Sequence, residues 1–316
     1  MTRDPKVLSR AQGCLLGQLA GDALGSLVEF QSPEQIWRKY PSGVRELADG
    51  GTWGTIAGQP TDDSEMALIL ARTLIKQRRY DAEEAREAYV FWLSSGPFDC
   101  GHTVLSGLRG RRNDESQANG AMMRISPLGI FGARHELAQV AEWARQDAAL
   151  THPHPVCGQA NALFTMAIAR AVRAGENAED IYEQMKQWAV EMKAEARLTR
   201  AIMEASEDPP ADYLHQQGWV LVAFQNALWQ LLHARSLEEA VVDTVMRGGD
   251  TDTNAAIAGA LLGAVHGLGS IPKQWRDKVL NCRPEAGKLN VLRPRPEVFW
   301  PVDALEIAEA LLSATE

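Results

Sequence analysis

Two short clusters of carboxylates and hydroxyls stand out from an otherwise ordinary sequence. Thr61-Asp62-Asp63 follows Pro60 and leads into the apolar run Met66–Ile75. Arg247-Gly248-Gly249-Asp250-Thr251-Asp252-Thr253-Asn254 enters a second helical run through a Gly-Gly hinge. Acidic side chains favour the positive end of the helix dipole, and Thr61 would serve as an N-cap, so either cluster alone is equally an ordinary helix start. Residues two apart do not share a helix face, so Asp250 and Asp252 can converge only if one lies in the loop before the helix. Four Asp and two Thr offer hard oxygen ligands of the kind that suit Mg²⁺, Mn²⁺ or Ca²⁺ rather than zinc. They are more ligands than one Mg²⁺ normally takes from protein, which points to a binuclear site able to orient a diphosphate-bearing substrate and activate water.

Some element must bring these distant clusters together. Gly13, Gly17, Gly21 and Gly25 recur every four residues, and so do Gly259, Gly263 and Gly267. That spacing lays glycines in one stripe along a helix and lets a neighbouring backbone approach closely. Each glycine costs about 0.5–1 kcal/mol of helix propensity relative to Ala, so tight packing must compensate. One stripe adjoins Asp22 and Glu29, the other Asp250 and Asp252, so two tightly packed central helices would carry the acids to one place. Amphipathic helical stretches cover about 5–25, 62–79, 81–95, 134–150, 156–174, 178–194, 217–234, 236–247, 252–268 and 302–314. No run alternates apolar and polar residues long enough for a sheet, so the class is all-α. The connections at 40–60 and 94–124 are long for a helical domain, and long loops on a rigid scaffold often carry function; further loops lie at 206–218 and 283–301.

The 316 residues fit one large domain, and 45% hydrophobic with 23% charged residues is an ordinary soluble composition. A net charge of -9 argues against a nucleic-acid partner, which would need clustered Lys and Arg. Cys14, Cys100, Cys157 and Cys282 form no CxxC pair, which excludes a zinc ribbon and points to a reducing compartment. Arg3, Lys6 and Arg10 precede Cys14-Leu15-Leu16, but Gln18 and Asp22 interrupt that stretch too early for a secretory signal. No run has membrane-spanning length, so a cytoplasmic protein is expected.

The motifs carry a family resemblance. Gly13-Cys14-Leu15-Leu16-Gly17, Gly21-Asp22-Ala23-Leu24-Gly25 and Glu29-Phe30 are followed by Thr61-Asp62-Asp63, Asn119-Gly120-Ala121-Met122-Met123-Arg124, Thr151-His152-Pro153 and Gly248-Gly249-Asp250-Thr251-Asp252-Thr253-Asn254. From about residue 10 to about 275 this order and spacing resemble the ADP-ribosylglycohydrolase family, in particular its dinitrogenase-reductase-activating, arginine-directed type. The resemblance implies a compact single-domain orthogonal helical bundle over residues 1–316 with two Mg²⁺ or Mn²⁺ ions at its centre. It makes Thr61, Asp62, Asp63, Asp250, Asp252 and Thr253 the metal ligands, and puts Glu29 beside the metals or the attacking water. It places Asp99 and Gly101 over the distal ribose, Ser116, Asn119, Gly120 and His152 on the nucleotide, and Arg124 beneath the site. His154 is read as a surface histidine. Trp53, Trp92, Phe98, Trp143 and Trp219 are candidates to stack on adenine, none singled out. Arg109–Arg112 and the loop 206–218 would shape access for a protein substrate.

The implied reaction is hydrolysis of the N-glycosidic bond between ADP-ribose and arginine on a modified protein, releasing ADP-ribose. The metals would grip the distal ribose hydroxyls and polarise water, Asp62, Asp63 or Glu29 would take its proton, and Asp99 would stabilise the departing guanidinium. Serine, nucleobase or O-acetyl-ADP-ribose linkages are alternatives. Another is an immunity protein against an ADP-ribosylating toxin, although the segment before residue 10 leaves no room for an occluding arm. A binder that has lost catalysis is a third, against which retention of all six ligands speaks. A monomer is expected.

Overall fold

The computed structural model describes residues 4–314, so Arg3 lies outside the described residues. From the N-terminus the helices are α1 (Pro5–Gly25), α2 (Pro33–Lys39), α3 (Asp62–Gln77), α4 (Ala82–Ser94) and α5 (His102–Leu108). The middle of the chain supplies α6 (Ser126–Gly132), α7 (Leu137–Ala149), α8 (Pro155–Ala174), α9 (Ala178–Glu191) and α10 (Ala196–Glu204). The last third supplies α11 (Val220–His233), α12 (Leu237–Met246), α13 (Thr251–His266), α14 (Lys273–Leu280) and α15 (Ala304–Leu311). Among the described residues no strands pair into a sheet; β-type contact is limited to the isolated bridges Gly50–Thr55 and Ala118–Trp219. The expected all-α class holds.

The glycine stripes form the central seam. A Cβ built on Gly17 would lie 2.2 Å from the Gly259 carbonyl oxygen, and one on Gly259 would lie 2.2 Å from that of Gly17. Gly13 faces Gly263, Gly21 faces the Ala255 carbonyl at 2.2 Å, and Gly25 faces the Asp252 backbone at 2.4 Å. The two helices are thus antiparallel, in backbone contact along their length, and the C-terminal end of α1 meets the N-terminal end of α13. Both are buried from Gly13 to Gly25 and from Thr251 to Ala264, as a central pair must be. Helices α8, α11 and α12 flank α13, and α15 flanks α1.

All ten expected helical stretches are present, with ends shifted by a few residues. The expectation omitted α2, α5, α6, α10 and α14, and α5 lies inside the stretch read as a long loop. The seven-residue helices α2, α5 and α6 make about two turns, too few for a 3.6-residue period to show. Their visible signals are at the ends: α2 has Pro33 in its first turn and a capping box between Ser32 and Gln35. In α10 the period was present, since Leu198, Ala201 and Ile202 are its buried face. No helix among the described residues is long and apolar enough to cross a membrane.

Candidate active site

Asp22, in the last turn of α1, is fully buried. Its carboxylate accepts hydrogen bonds from the Thr61 backbone N at 3.1 and 3.2 Å and from the Ser64 backbone N at 3.1 Å. Asp22 therefore caps α3 from another helix. Thr61 occupies the N-cap position but makes no capping bond; its hydroxyl lies 2.9 Å from Asp22 Oδ1 and 3.0 Å from Asp63 Oδ2. That corrects the expected role of Thr61: the helix end is satisfied by α1, which leaves Thr61 and the first turn facing the seam.

The Gly-Gly hinge performs the turn its sequence suggests. Gly248 and Gly249 have φ of 74° and 77°, in the left-handed region that favours glycine. A Cβ on Gly249 would also lie 2.2 Å from the Tyr213 carbonyl oxygen. The hinge puts Asp250 in the pre-helical position and Asp252 in the first turn of α13, so both can face one point. One oxygen each from Asp22, Asp63 and Asp252 lies within 4.8 Å of the others, and the same holds for Glu29, Asp250 and Asp252. Asp252 belongs to both groups. Asp22 was absent from the expected ligand set; the signal available was its place between Gly21 and Gly25, on the helix end that the stripes bring to α13.

Beside these groups is a cavity of about 320 Å³. Its lining includes Glu29, Asp62, Asp99, Asp250, Asp252 and Thr253 together with the uncharged Gly101, Thr103, Val104, Asn119, Gly120, His152 and Gln217. Among the described residues no Lys or Arg lines it. Burial pushes Asp62 up to about 6 and Asp22 to about 7. Burial and the charge of Asp250 raise Glu29 to about 8; burial and the charges of Asp62 and Glu29 raise Asp99 to about 10. Asp63 and Asp252 are pushed well above the usual carboxylate range by burial and their acidic neighbours. The next acid along α3 shows the contrast. Glu65 is equally buried but receives Arg295 Nε and Nη2 at 2.7 Å each and Trp92 Nε1 at 2.8 Å. The fold thus supplies a cation to a buried structural acid and supplies none to the cavity cluster. Asp63 Oδ1 is buried with no hydrogen-bond partner among the described residues. An orphaned carboxylate oxygen within an unbalanced acidic cluster fits a divalent cation.

The ADP-ribosylglycohydrolase family model matches residues 3–310. The chain belongs to the ADP-ribosylglycohydrolase family. The chain is 31% identical to the ADP-ribosyl-[dinitrogen reductase] glycohydrolase of Rhodospirillum rubrum, over 87% of this chain and 92% of that protein. It is 27% identical to the ADP-ribosylarginine hydrolase Tri1 of Pseudomonas putida, over 97% of this chain and 82% of that protein. A solved structure titled "ADP-ribosylglycohydrolase-related protein complex" superposes with a TM-score of 0.80 at 25% identity, covering 99% of this chain and 100% of that one. A glycosidase acting on ADP-ribosyl bonds is the activity of the family.

The remaining expected site residues are placed as follows. The Gly101 backbone N donates to Asp62 Oδ2 at 3.1 Å, and Asn119 Nδ2 donates to Asp250 Oδ2 at 2.7 Å, so the 94–124 segment is tied to both acidic clusters. His152 lines the cavity; burial pushes it down to about 3, so it is neutral, and its Nε2 has no partner among the described residues. A Cβ on Gly120 would lie 3.0 Å from Val104 Cγ2 and 3.1 Å from the His152 ring, so any larger residue would press on both by a few tenths of an ångström. Ser116 stands one layer back, with its hydroxyl 2.8 Å from that of Thr103, which does line the cavity. Arg124 lies beneath, buried against Asp147 and the Tyr89 ring.

His154 is not the surface residue expected. It is half-buried, its Nδ1 accepts from the Val156 backbone N at 3.1 Å to cap α8, and its Nε2 pairs with Gln117 at 3.1 Å. Of the stacking candidates, Trp92 is buried on Glu65 and Trp143 packs against Tyr80, Phe131 and His135. Trp219 bonds Gln117, while Trp53 Nε1 donates to Glu29 Oε2 at 2.6 Å and packs against Phe98. The aromatic ring that does line the cavity is Phe30, which was not among the candidates.

Proposed function

We propose that the chain hydrolyses the N-glycosidic bond joining ADP-ribose to an arginine side chain of a modified protein. The centre would hold two divalent cations, Mg²⁺ or Mn²⁺, on Thr61, Asp62, Asp63, Asp250, Asp252 and Thr253, with Asp22 as a further oxygen donor. The observation that carries this reading is the sharing of Asp252 between two carboxylate groups in a cluster that no basic side chain among the described residues balances. Bound cations supply positive charge for the distal ribose oxygens and acidify water. Asp62, Asp63 or Glu29 would accept a proton from the attacking water as its oxygen bonds the anomeric carbon. The C–N bond breaks, and the proton ends on the departing guanidine group, which Asp99 holds. Asn119, Gly120, Gly101 and His152 bind the rest of the ADP-ribose, with Ser116 holding Thr103. A leaving group that departs as a cation suits a cavity lined by carboxylates, and the name of the Pseudomonas putida relative supports the arginine linkage.

The test is incubation of an arginine-ADP-ribosylated protein with the enzyme, with and without Mg²⁺ or Mn²⁺, beside a serine-linked substrate. Cation-dependent release of ADP-ribose from the arginine-linked substrate is expected. Cleavage confined to the serine-linked one would overturn the leaving-group assignment and leave the family activity intact.

A further inference from the structure

We infer that Phe30, in a row with Trp53 and Phe98, forms the subsite that receives the leaving side chain and selects a guanidinium there; this rests on the arginine-linkage reading above. Phe30 is expensive to place. Its φ of 65° is a genuine outlier for a bulky residue, and the residue is 57% exposed, so burial offsets little of the strain. The conformation is imposed by the hinge: the Phe30 backbone N donates to the Gly249 carbonyl at 2.8 Å, and Gly249 N donates to the Gln31 carbonyl at 3.1 Å. The backbone that delivers Asp250 therefore also delivers an apolar ring to the cavity lining. A strained, solvent-facing aromatic beside a catalytic cluster is explained by what it contacts, not by stability.

Its neighbours define the contact. The Phe30 and Trp53 rings meet edge-on at 6.4 Å, and Trp53 and Phe98 at 6.0 Å. Each outer ring is adjacent in sequence to a cavity carboxylate, Phe30 to Glu29 and Phe98 to Asp99. Ring faces interleaved with carboxylates recognise a planar cation, which can stack on the ring and donate a fork of hydrogen bonds to an acid. The cluster already accommodates one such group: the Arg293 guanidinium carbon lies 6.0 Å from the Phe98 ring centroid, and Arg293 Nε donates to the Trp53 carbonyl at 2.9 Å. Phe30 is the ring left open to a ligand. A serine-linked or O-acetylated substrate presents no cation and would gain nothing from it.

The experiment compares Phe30→Ala and Phe30→Tyr with the wild type in kcat/KM for an arginine-linked ADP-ribosyl peptide and in Kd for ADP-ribose, which lacks a leaving side chain. Phe30→Ala should lower kcat/KM roughly tenfold, the size of one desolvated cation–ring contact, while Kd for ADP-ribose moves less than about threefold; Phe30→Tyr should restore kcat/KM. Because the ring is exposed, the thermal midpoint should be retained and report the fold. An unchanged kcat/KM, or an equal loss in kcat/KM and in ADP-ribose affinity, would overturn the subsite. A wild type inert on the arginine-linked peptide but active on a serine-linked one would overturn the linkage reading itself, and is seen before any variant is made.

Discussion

Asp252 contributes an oxygen both to the group with Asp22 and Asp63 and to the group with Glu29 and Asp250. After burial itself, the charges of Glu29, Asp63, Asp250 and Asp99 push its carboxyl above the ordinary range. Replacing it by Asn should therefore have opposite effects on stability and on function. In chelator, Asp252→Asn removes a buried acid that the fold must either keep protonated or hold as an uncompensated charge, and the thermal midpoint should rise by on the order of a few degrees. With Mn²⁺ or Mg²⁺ added, the wild type should gain stability, whereas the variant should gain little and show no turnover. Thermal scans with and without cation decide this, and a full cation-dependent shift in the variant would remove Asp252 from the ligand set. The acids at 62, 63, 250 and 252 were legible as residue types at helix starts. Asp22 was legible as an acid that the glycine stripe carries toward Asp250 and Asp252, but not as a donor to the cluster, because its hydrogen bonds go to groups 39 and 42 residues away. Phe30 was hidden because neither its exposure nor its positive φ is written in its residue type. His154 was misread because its partner Gln117 lies in a different loop.

At the scale of elements, the α1–α13 seam was the most legible feature, since a four-residue glycine period has one geometric meaning on a helix. The structure adds its severity. The atom that a Cβ on Gly17 would meet is a backbone oxygen at 2.2 Å, which no rotamer change can move aside. Gly17→Ala should thus lower stability by about 3 kcal/mol or more, despite the better helix propensity of Ala. Gly269 has nothing within 4 Å of a built Cβ, so Gly269→Ala should fall within about 0.5 kcal/mol of wild type. Urea unfolding of the two variants at equal slope measures both; similar midpoints would mean that the helices separate freely. The short helices were illegible for the opposite reason, being fixed by caps and tertiary contacts rather than by a period. The long loops at 40–60 and 94–124 reach the cavity, where they deliver Trp53 to Glu29 and carry Asp99, Gly101 and Asn119.

For the whole molecule, the unbalanced cluster sets how stability responds to pH. Burial, with the charges of neighbouring acids, pushes Asp62, Asp22, Glu29 and Asp99 up to about 6, 7, 8 and 10 in the folded chain, against ordinary values of 3.8 for Asp and 4.5 for Glu. The folded state thus keeps protons that the unfolded chain has already released. Stability from these groups is fully present below about pH 4 and is lost as pH rises through each folded value. A divalent cation reverses the dependence. It binds the deprotonated carboxylates and only in the folded chain, so its stabilising effect grows as the competing protons leave. Thermal midpoints in chelator should therefore decline from pH 5 to pH 9. The gap between midpoints measured in Mn²⁺ and in chelator should widen over that same range. The two curves separate the cluster from ordinary surface titration, because solvent-exposed carboxylates as a class titrate well below this window. A midpoint in chelator that climbs across the window, with a cation gap that stays constant, would mean that the buried acids are balanced by something other than protons or metal.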